Sequence, residues 1–340
     1  MRPCPAFTIV QERMLNLGRY LLGRLVQSVF LLLGVSILTF TIIQLAPGSY
    51  ATMVTESIQS DSQEDTARIT ALYGLDQPVY VQYMRWLQQI SRGNLGMSMH
   101  QRRPVVDMIK ERLPATIVLN LIGIVLIYLI ALPVGIISAV KQYSWFDHVM
   151  TFTAFMGQAM PSFFFAMLLI YLVAMNVAWI PLAGMGTIGV EFADVSFRTW
   201  LVDRARYVIL PLTVIVLGGL AGLVRFMRAS MLDVVHQDYV RTARAKGLPE
   251  RTVIMKHSVR NALLPIVTSL GFTFSGLLGG SVVIESIFAW PGVGLLAIQA
   301  IFMRDYQVIM AFNMIGAIML VLGMLLADLL YVVVDPRIKY

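Results

Sequence analysis

The stretch SIFAWPGVGLLAIQAIFM, Ser286–Met303, decides how this chain is folded. It runs eighteen residues without a formal charge. That is close to the roughly 20 apolar residues a transmembrane helix needs, so hydropathy alone makes it a crossing. Near its start, however, Trp290, Pro291, Gly292 and Gly294 stand together, and Pro and Gly so clustered break a helix. A buried or re-entrant loop is the better reading. Charge parity agrees. Arg13, Arg19 and Arg24 precede the first apolar run of the chain and hold the N-terminus in the cytoplasm; Arg337 and Lys339 follow the last run and favour the same side. Two cytoplasmic termini require an even number of crossings.

Working outward, six uncharged runs supply that even number: Leu25–Ala46, Ala115–Val140, Val149–Trp179, Tyr207–Val224, Asn261–Ile284 and Val308–Ala327. The third is too long for one straight span and contains Pro161, so a kink, a tilt or an early end is expected there. The 340 residues are 58% hydrophobic and 13% charged, against about 25% charged in an ordinary soluble domain; the solvent for much of this chain is lipid. The expected fold is all-α and integral to the membrane, with six transmembrane helices. Its parts are a cytoplasmic N-terminus (1–24), a first span (25–46), an extracytoplasmic segment (47–114), a core of five further spans (115–334) and a cytoplasmic tail (335–340). Within 47–114, Asp76-Gln77-Pro78 reads as a helix start, and Tyr83, Trp86, Leu87 and Ile90 recur at helical spacing. The cytoplasmic connections become Lys141–His148 and Arg225–Arg260.

Several function classes drop out. The net charge of +7 reflects basic cytoplasmic loops that set orientation rather than nucleic-acid binding. Cys4 is the single cysteine, which excludes an intrachain disulfide and a cysteine metal cluster. Met1–Gly18 lacks the order of a cleaved signal peptide, and Met14 is a second candidate start. No lysine is followed by Ser or Thr, so no ordinary P-loop forms, and no H-E-x-x-H occurs. His100, His148, His236 and His257 are scattered. No catalytic, cofactor or metal residue is assigned. Ionisable residues inside spans mark ion or substrate paths, and here they are scarce: Asp328 is the main one, expected at the cytoplasmic interface, with Glu285 at the outer interface. That scarcity disfavours a proton- or sodium-coupled carrier. Gly218, Gly219 and Gly222 in the fourth span, and Gly271, Gly276, Gly279 and Gly280 in the fifth, read as close helix packing. The 21 methionines are explained as apolar filler or as an adaptable lining.

The informative loop is Arg225–Arg260. Arg225, Arg228, Arg241, Arg244, Lys246, Arg251, Lys256 and Arg260 stand against Asp233, Asp238 and Glu250, a net +5. Met231, Val235, Tyr239 and Ala243 repeat every four residues and are expected on one helix face, with Arg241 and Arg244 pointing elsewhere. Gly247 suits the left-handed position that ends a helix; Pro249 and Glu250 suit the first turn of the next. The expected object is a helix, a sharp turn, a short helix, and then the fifth span from near Asn261. The plainer reading is a solvated, positive-inside loop.

The stretch Tyr239-Val240-Arg241-Thr242-Ala243-Arg244-Ala245-Lys246-Gly247-Leu248, followed by Arg260-Asn261-Ala262-Leu263-Leu264-Pro265, resembles the permease signature of the dipeptide/oligopeptide branch of binding-protein-dependent ABC importers. Arg241 and Thr242 stand where many importers have an acidic residue and alanine, and the distance from Gly247 to Leu264-Pro265 exceeds that in sugar-importer permeases; both departures resemble the peptide branch. Other segments match in order: Leu45–Ser49, Tyr73–Pro78, Gly93–Ser98, Glu285–Gly294, Asp328–Tyr331 and Asp335–Arg337. The resemblance implies a type I ABC importer permease fold in a bacterial inner membrane. It implies a homologous second permease, two cytoplasmic ATPases that bind the ATP, an extracytoplasmic substrate-binding protein and alternating access. It also implies ATPase coupling through Tyr239, Arg241, Thr242, Ala243, Arg244, Ala245, Lys246 and Gly247. Peptides are the expected substrate, with nickel complexes, glutathione or peptide antibiotics as alternatives within the class and a stand-alone carrier or channel as the rival outside it.

Overall fold

A computed structural model describes residues 5–45, 77–279 and 281–334, all in helices, turns and loops apart from one isolated bridge between Met97 and Pro104. Helix α1 is Pro5–Leu45 and α2 is Val79–Ser91. Helix α3 is Val105–Val140, α4 is Trp145–Ala159, and α5 is Ser162–Leu169, which runs on as a π-helical turn, Ile170–Ala174. Helix α6 is Phe197–Val235 and α7 is Asp238–Ala245. The short α8, Glu250–Thr252, passes through a π-helical segment, Val253–Val259, into α9, Arg260–Gly279. Helices α10 (Val282–Ile287), α11 (Val293–Phe302) and α12 (Tyr306–Val334) complete the order. Among the described residues, four helices are long and apolar enough to cross a membrane: Leu22–Leu45 of α1, then α3, α6 and α12. A fifth crossing follows if α4 and α5, bent by 100°, count as one.

The bend has a local cause. Met160 lies just before Pro161 and takes an extended backbone, φ −83° and ψ 124°, because a proline ring disfavours the helical region for the residue ahead of it. The long third run is thus broken at its proline. Pro114, Pro133, Pro211 and Pro265 all sit inside helices that continue past them. Helix α1 begins about 20 residues before the first expected span, α3 ten residues before the second, and α6 overruns the fourth at both ends. The expected motif Leu45–Ser49, the segment Tyr73–Asp76 and the tail 335–340 lie wholly or largely outside the described residues.

The described chain has two compact units. In the first, which holds α1, α2 and Leu296–Leu325, Phe40 and Ile43 of α1 pack with Trp86, Tyr306, Met310 and Met314, and Tyr83 and Ile90 close over them. Tyr83 meets Phe40 edge-on at 5.4 Å between ring centroids, and its hydroxyl lies 2.8 Å from Ser36 Oγ. The helical spacing of Tyr83, Trp86 and Ile90 is therefore used as expected; Leu87 stays half-buried outside that cluster. Asp305 accepts a hydrogen bond from Ser98 Oγ and caps the turn at residues 97–104.

The second unit, Arg112–Leu295 with the end of α12 from Leu326 to Val334, holds the central helices. Met227 and Met231 of α6, Val259, Ala262 and Ile266 leading into α9, and Ala139 of α3 share one core. Glycine lets α3 and α6 approach. A Cβ on Gly135 would stand 2.7 Å from Met227 Cβ and 2.9 Å from the Val224 carbonyl oxygen, and one on Gly219 would stand 2.3 Å from Ile127 Cδ1. Gly218 and Gly222 meet nothing within 4 Å, so close packing explains one glycine of that trio and not the other two. The packing expected at Gly271, Gly276, Gly279 and Gly280 falls on side-chain surroundings outside the described residues.

The ambiguous run 286–303 is not one helix. Helix α10 ends at Ile287, the chain turns through Phe288–Gly292 with Ala289 at φ +46°, and α11 restarts at Val293. Ten residues of α11 extend only about 15 Å at 1.5 Å each, half of the ~30 Å hydrocarbon core. The loop is anchored within the second unit. Trp290, 1% exposed, donates from Nε1 to the Ala115 carbonyl at 3.0 Å. Glu285, wholly buried, accepts from Thr116 Oγ1 at 3.0 Å and from the Leu295 amide at 3.1 Å, while Thr116 Oγ1 accepts from the Val293 amide at 2.8 Å. Gly292 is required there, since a Cβ would fall 2.3 Å from Glu285 Oε2 and 2.4 Å from Thr116 Oγ1.

Candidate functional site

The basic loop folds as the sequence anticipates, with one change of register. Helix α6 stops at Val235, His236 and Gln237 form the break, and α7 starts at Asp238. Met231 and Val235 therefore belong to a different helix from Tyr239 and Ala243, and the four do not form one stripe. The buried face of α7 is Val240 and Ala243, which pack with Val253 and Val234 in a small apolar core. Tyr239 is 44% exposed. A period of four cannot reveal the break, because Gln237 carries no Pro or Gly signal; the interruption shows only in the extended backbone at Gln237, ψ 150°.

Helix α7 places Asp238 in its first turn and Arg244 in its last, the arrangement favoured by the helix dipole. The amide of Lys246 donates to the Thr242 carbonyl at 3.1 Å, and the amide of Gly247 to that of Arg244 at 2.9 Å. Gly247 then takes φ +76°, a left-handed backbone that glycine adopts without steric cost. A Cβ there would meet nothing within 4 Å, so conformation and not space selects glycine.

Two side-chain clips close the turn. Arg244 reaches across it to Glu250, with Nη2 donating to Oε1 at 2.8 Å and Nε contacting both carboxylate oxygens at 3.2 Å. The Arg244 hydrogen bond and charge hold the Glu250 carboxyl below the usual range and push the guanidinium up. Asn261, at the start of α9, donates from Nδ2 to Tyr239 Oη at 3.1 Å and to the His257 carbonyl at 2.9 Å. Between the clips lies the π-helical segment Val253–Val259, where Ser258 Oγ donates to the Val253 carbonyl.

What this segment presents is a small knob, packed and cross-linked by hydrogen bonds. Its apolar side, Val240 and Ala243, is sealed against Val253. Its outer side displays Tyr239, Arg241 (69% exposed side chain), Thr242, Arg244, Ala245, Lys246 and Gly247. All the residues singled out by the sequence are thus brought together, and all but Ala243 are on the outer surface.

An ion pair between α4 and α6 goes beyond the residues the sequence singles out. Asp147, in the first turn of α4, is 3% exposed and takes two hydrogen bonds from Arg228 of α6, from Nε at 2.6 Å and from Nη2 at 2.7 Å. The sequence signals only the helix start: Ser144-Trp145-Phe146-Asp147 is a capping sequence, and Ser144 Oγ accepts from the Asp147 amide at 3.3 Å; nothing in it points to Arg228. At the other end of α6, Asp203 (2% exposed) accepts from Thr187 Oγ1 at 2.6 Å, the Thr187 amide at 2.9 Å and Arg206 Nη2 at 2.7 Å. The imidazoles of His148 and His236 bond through Nδ1 to carbonyls four residues earlier, those of Ser144 and Leu232. Among the described residues, no three His, Cys, Asp or Glu side chains are grouped so as to hold a metal ion. Asp328 lies within α12, six residues before its end.

Residues 131–340 match the family described as binding-protein-dependent transport system inner membrane component, and residues 17–120 match the N-terminal family of the same membrane components. The oligopeptide transport system permease protein AppB of Bacillus subtilis is 43% identical over 325 residues, covering 95% of this chain and 100% of that one. A putative peptide permease protein of Brucella suis is 39% identical over 322 residues, 94% of this chain and 99% of its own. The dipeptide transport system permease protein DppB of Alkalihalophilus pseudofirmus is 36% identical over 334 residues, with coverages of 94% and 99%. Among solved structures, an inward-facing MetNI methionine ABC transporter matches with a TM-score of 0.54 at 15% identity, covering 68% of this chain and 97% of the matched one; at that identity the likeness is one of fold.

Proposed function

Because this chain belongs to the family of binding-protein-dependent transport system inner membrane components, we propose that it forms the translocation pathway of an ATP-driven importer for di- and oligopeptides. It is a multi-pass protein of the bacterial inner membrane and a non-catalytic subunit. On this reading it has six spans, with α9 and the bent α4–α5 pair completing the set, and both termini in the cytoplasm. The cytoplasmic N-terminus is 1–24, the first span 25–46, the extracytoplasmic segment 47–114, the core 115–334 and the tail 335–340. It works beside a homologous second permease, two ATPase subunits and an extracytoplasmic binding protein. The peptide assignment is supported by relatives named as oligopeptide, peptide and dipeptide permeases over 94–95% of the chain.

The observation that carries the mechanism is the knob at α7. Its exposed basic face stands on a turn fixed by Gly247 at φ +76° and by the Arg244–Glu250 clip. A loop that transmits work must hold its shape while its partner moves, and it must contact that partner differently in two states. Tyr239 and Arg241 to Gly247 form the contact: closure of the ATPase pair shifts α7, and α6 and α9, which leave the knob on either side, carry the shift into the spans. The experiment is uptake of a labelled oligopeptide by vesicles holding the complete complex, with ATP inside and loaded binding protein outside, against vesicles holding this chain alone. Uptake only by the complete complex is expected. Transport by the chain alone would establish a self-sufficient carrier instead. Competition by unlabelled nickel complexes, glutathione or peptide antibiotics in the same vesicles ranks the alternative substrates.

A further inference from the structure

We infer that the ion pair between the buried Asp147 and the half-buried Arg228 is the joint through which movement of the coupling knob reaches α4, a positioning role that rests on the importer reading above. Arg228 lies on the last ten residues of α6, whose end leads through only His236 and Gln237 into α7. Asp147 lies in the first turn of α4. The contact is a two-pronged fork, Nε to Oδ1 and Nη2 to Oδ2, which fixes relative orientation as well as distance. The Asp147 side chain is 5% exposed and the Arg228 side chain 24%, so the carboxylate is shielded from water and the guanidinium partly so.

Asp147 does more than pair. Its Oδ2 also accepts from the Tyr143 amide at 3.0 Å. Tyr143 sits at φ +63°, a conformation that costs a bulky residue energy and persists only where surrounding structure enforces it. The carboxylate thus holds the turn between α3 and α4 in a strained shape while gripping α6. A second contact reinforces the joint: the Arg225 guanidinium lies over the Phe155 ring, 5.7 Å from its centroid. Next to it Gly157 lets α4 close on α6, a Cβ there standing 3.3 Å from the Leu217 carbonyl oxygen. Helix α4 is therefore fastened to the arm of α6 that bears the knob, and it leads to the 100° bend at Met160–Pro161. Displacement of α7 is handed by Arg228 to Asp147, and by α4 to the bend.

The test uses the whole complex, with Asp147→Asn, Arg228→Lys and the exchange Asp147→Arg/Arg228→Asp. Asn keeps the shape and loses the charge; Lys keeps the charge and loses the fork. Two quantities are read: the amount of assembled complex, and the ratio of ATP hydrolysis with and without loaded binding protein. Each single variant should assemble and lower that ratio about fivefold or more, the lower end of typical coupling between sites; the exchange should recover much of it. If Asp147→Asn does not accumulate, the milder Arg228→Lys decides. An unchanged ratio in an assembled single variant overturns the joint, and so does an exchange variant that assembles yet recovers nothing. A wild-type complex without stimulated hydrolysis or uptake would instead overturn the importer reading, and this inference with it.

Discussion

Replacing Gly247 with valine tests the coupling knob most directly. The residue sits at φ +76°, and no atom lies within 4 Å of where a Cβ would stand, so the substitution introduces no clash within the chain and acts through the backbone. A left-handed conformation costs an L-residue roughly 1–2 kcal/mol, and a β-branched one sits at the upper end or near ~3 kcal/mol. Loss of glycine's freedom in the unfolded chain returns about 0.4–1 kcal/mol. The net, about 1–2 kcal/mol, lowers the equilibrium constant of the native turn against its alternatives roughly 5- to 30-fold at 1.4 kcal/mol per decade. That is too little to unfold a bundle of helices and enough to misplace α7. Gly247→Val should therefore reach the membrane in normal amounts, by immunoblot of membrane fractions, and lose most uptake and most of the ATP hydrolysis stimulated by loaded binding protein. Gly247→Asn, which tolerates the left-handed region, should retain most of both, with Gly247→Ala between. Wild-type uptake by the valine variant refutes the role of the turn. An asparagine variant as damaged as valine refutes the backbone argument and points to crowding against a partner.

Further outcomes follow from the same geometry. A cysteine at Arg244, on the outer side of α7, should crosslink to an ATPase subunit in assembled complexes; no product at any crosslinker length would place the knob elsewhere. Gly292→Ala drives a Cβ to 2.3 Å from Glu285 Oε2 and should cost about 1–3 kcal/mol of overpacking or more, whereas Gly218→Ala enters open space inside a helix and should be neutral or stabilise by up to about 1 kcal/mol; thermal melting in detergent compares them, and equal losses would contradict the packing described. Glu250→Gln removes an exposed clip worth about 0.2–1 kcal/mol, so hydrogen exchange at the turn should quicken slightly at low salt and hardly at high salt. Because Arg244 lowers the Glu250 carboxyl, the clip is whole above the ordinary glutamate value of about 4.3 and is lost only as pH falls through the lowered one. Exchange corrected for intrinsic rate should accordingly be flat from about pH 6 to 8, and a change within that window would assign titration to another group.

What the sequence makes legible is what a single local signal specifies. Pro161 marks the break in the third run, Gly247 the turn, and the Trp290–Gly294 cluster the interruption of a run otherwise long enough to cross. Each is a backbone constraint written in one or two residues. Helix ends depart from the hydropathy reading because α3 and α6 continue as helices beyond the uncharged runs: a backbone hydrogen-bond ladder does not stop at the edge of the lipid. The break before Asp238 is invisible for the converse reason, since Gln237 has no conformational signature. Least legible are the long-range pairs. Asp147 and Arg228 are 81 residues apart in sequence, and Glu285 and Thr116 are 169 apart. Sequence position suggests an outer interface for Glu285; it cannot convey that the carboxyl is wholly buried and holds a loop.

Helix α6 shows how these levels join. Its uncharged stretch Tyr207–Val224 is 18 residues, about 27 Å at 1.5 Å per residue, matched to a hydrocarbon core of ~30 Å. Arg206 and Arg225 bound it, and the helix overhangs at both ends, from Phe197 and to Val235. Each overhang carries an anchored ion pair: Asp203 with Arg206 and Thr187 on one side, Arg228 with Asp147 on the other. Asp203 and Arg228 are 25 residues apart, roughly 37 Å along the axis, so the two lie beyond the core on opposite sides. Asp203 is tied outside the helix through Thr187, and Arg228 through Asp147 of α4, so α6 has a polar partner outside itself at each end. This span carries no charged side chain between Arg206 and Arg225, so on the importer function proposed above substrate moves by a change of shape, and on the same reading that change enters where α6 gives way to the basic knob.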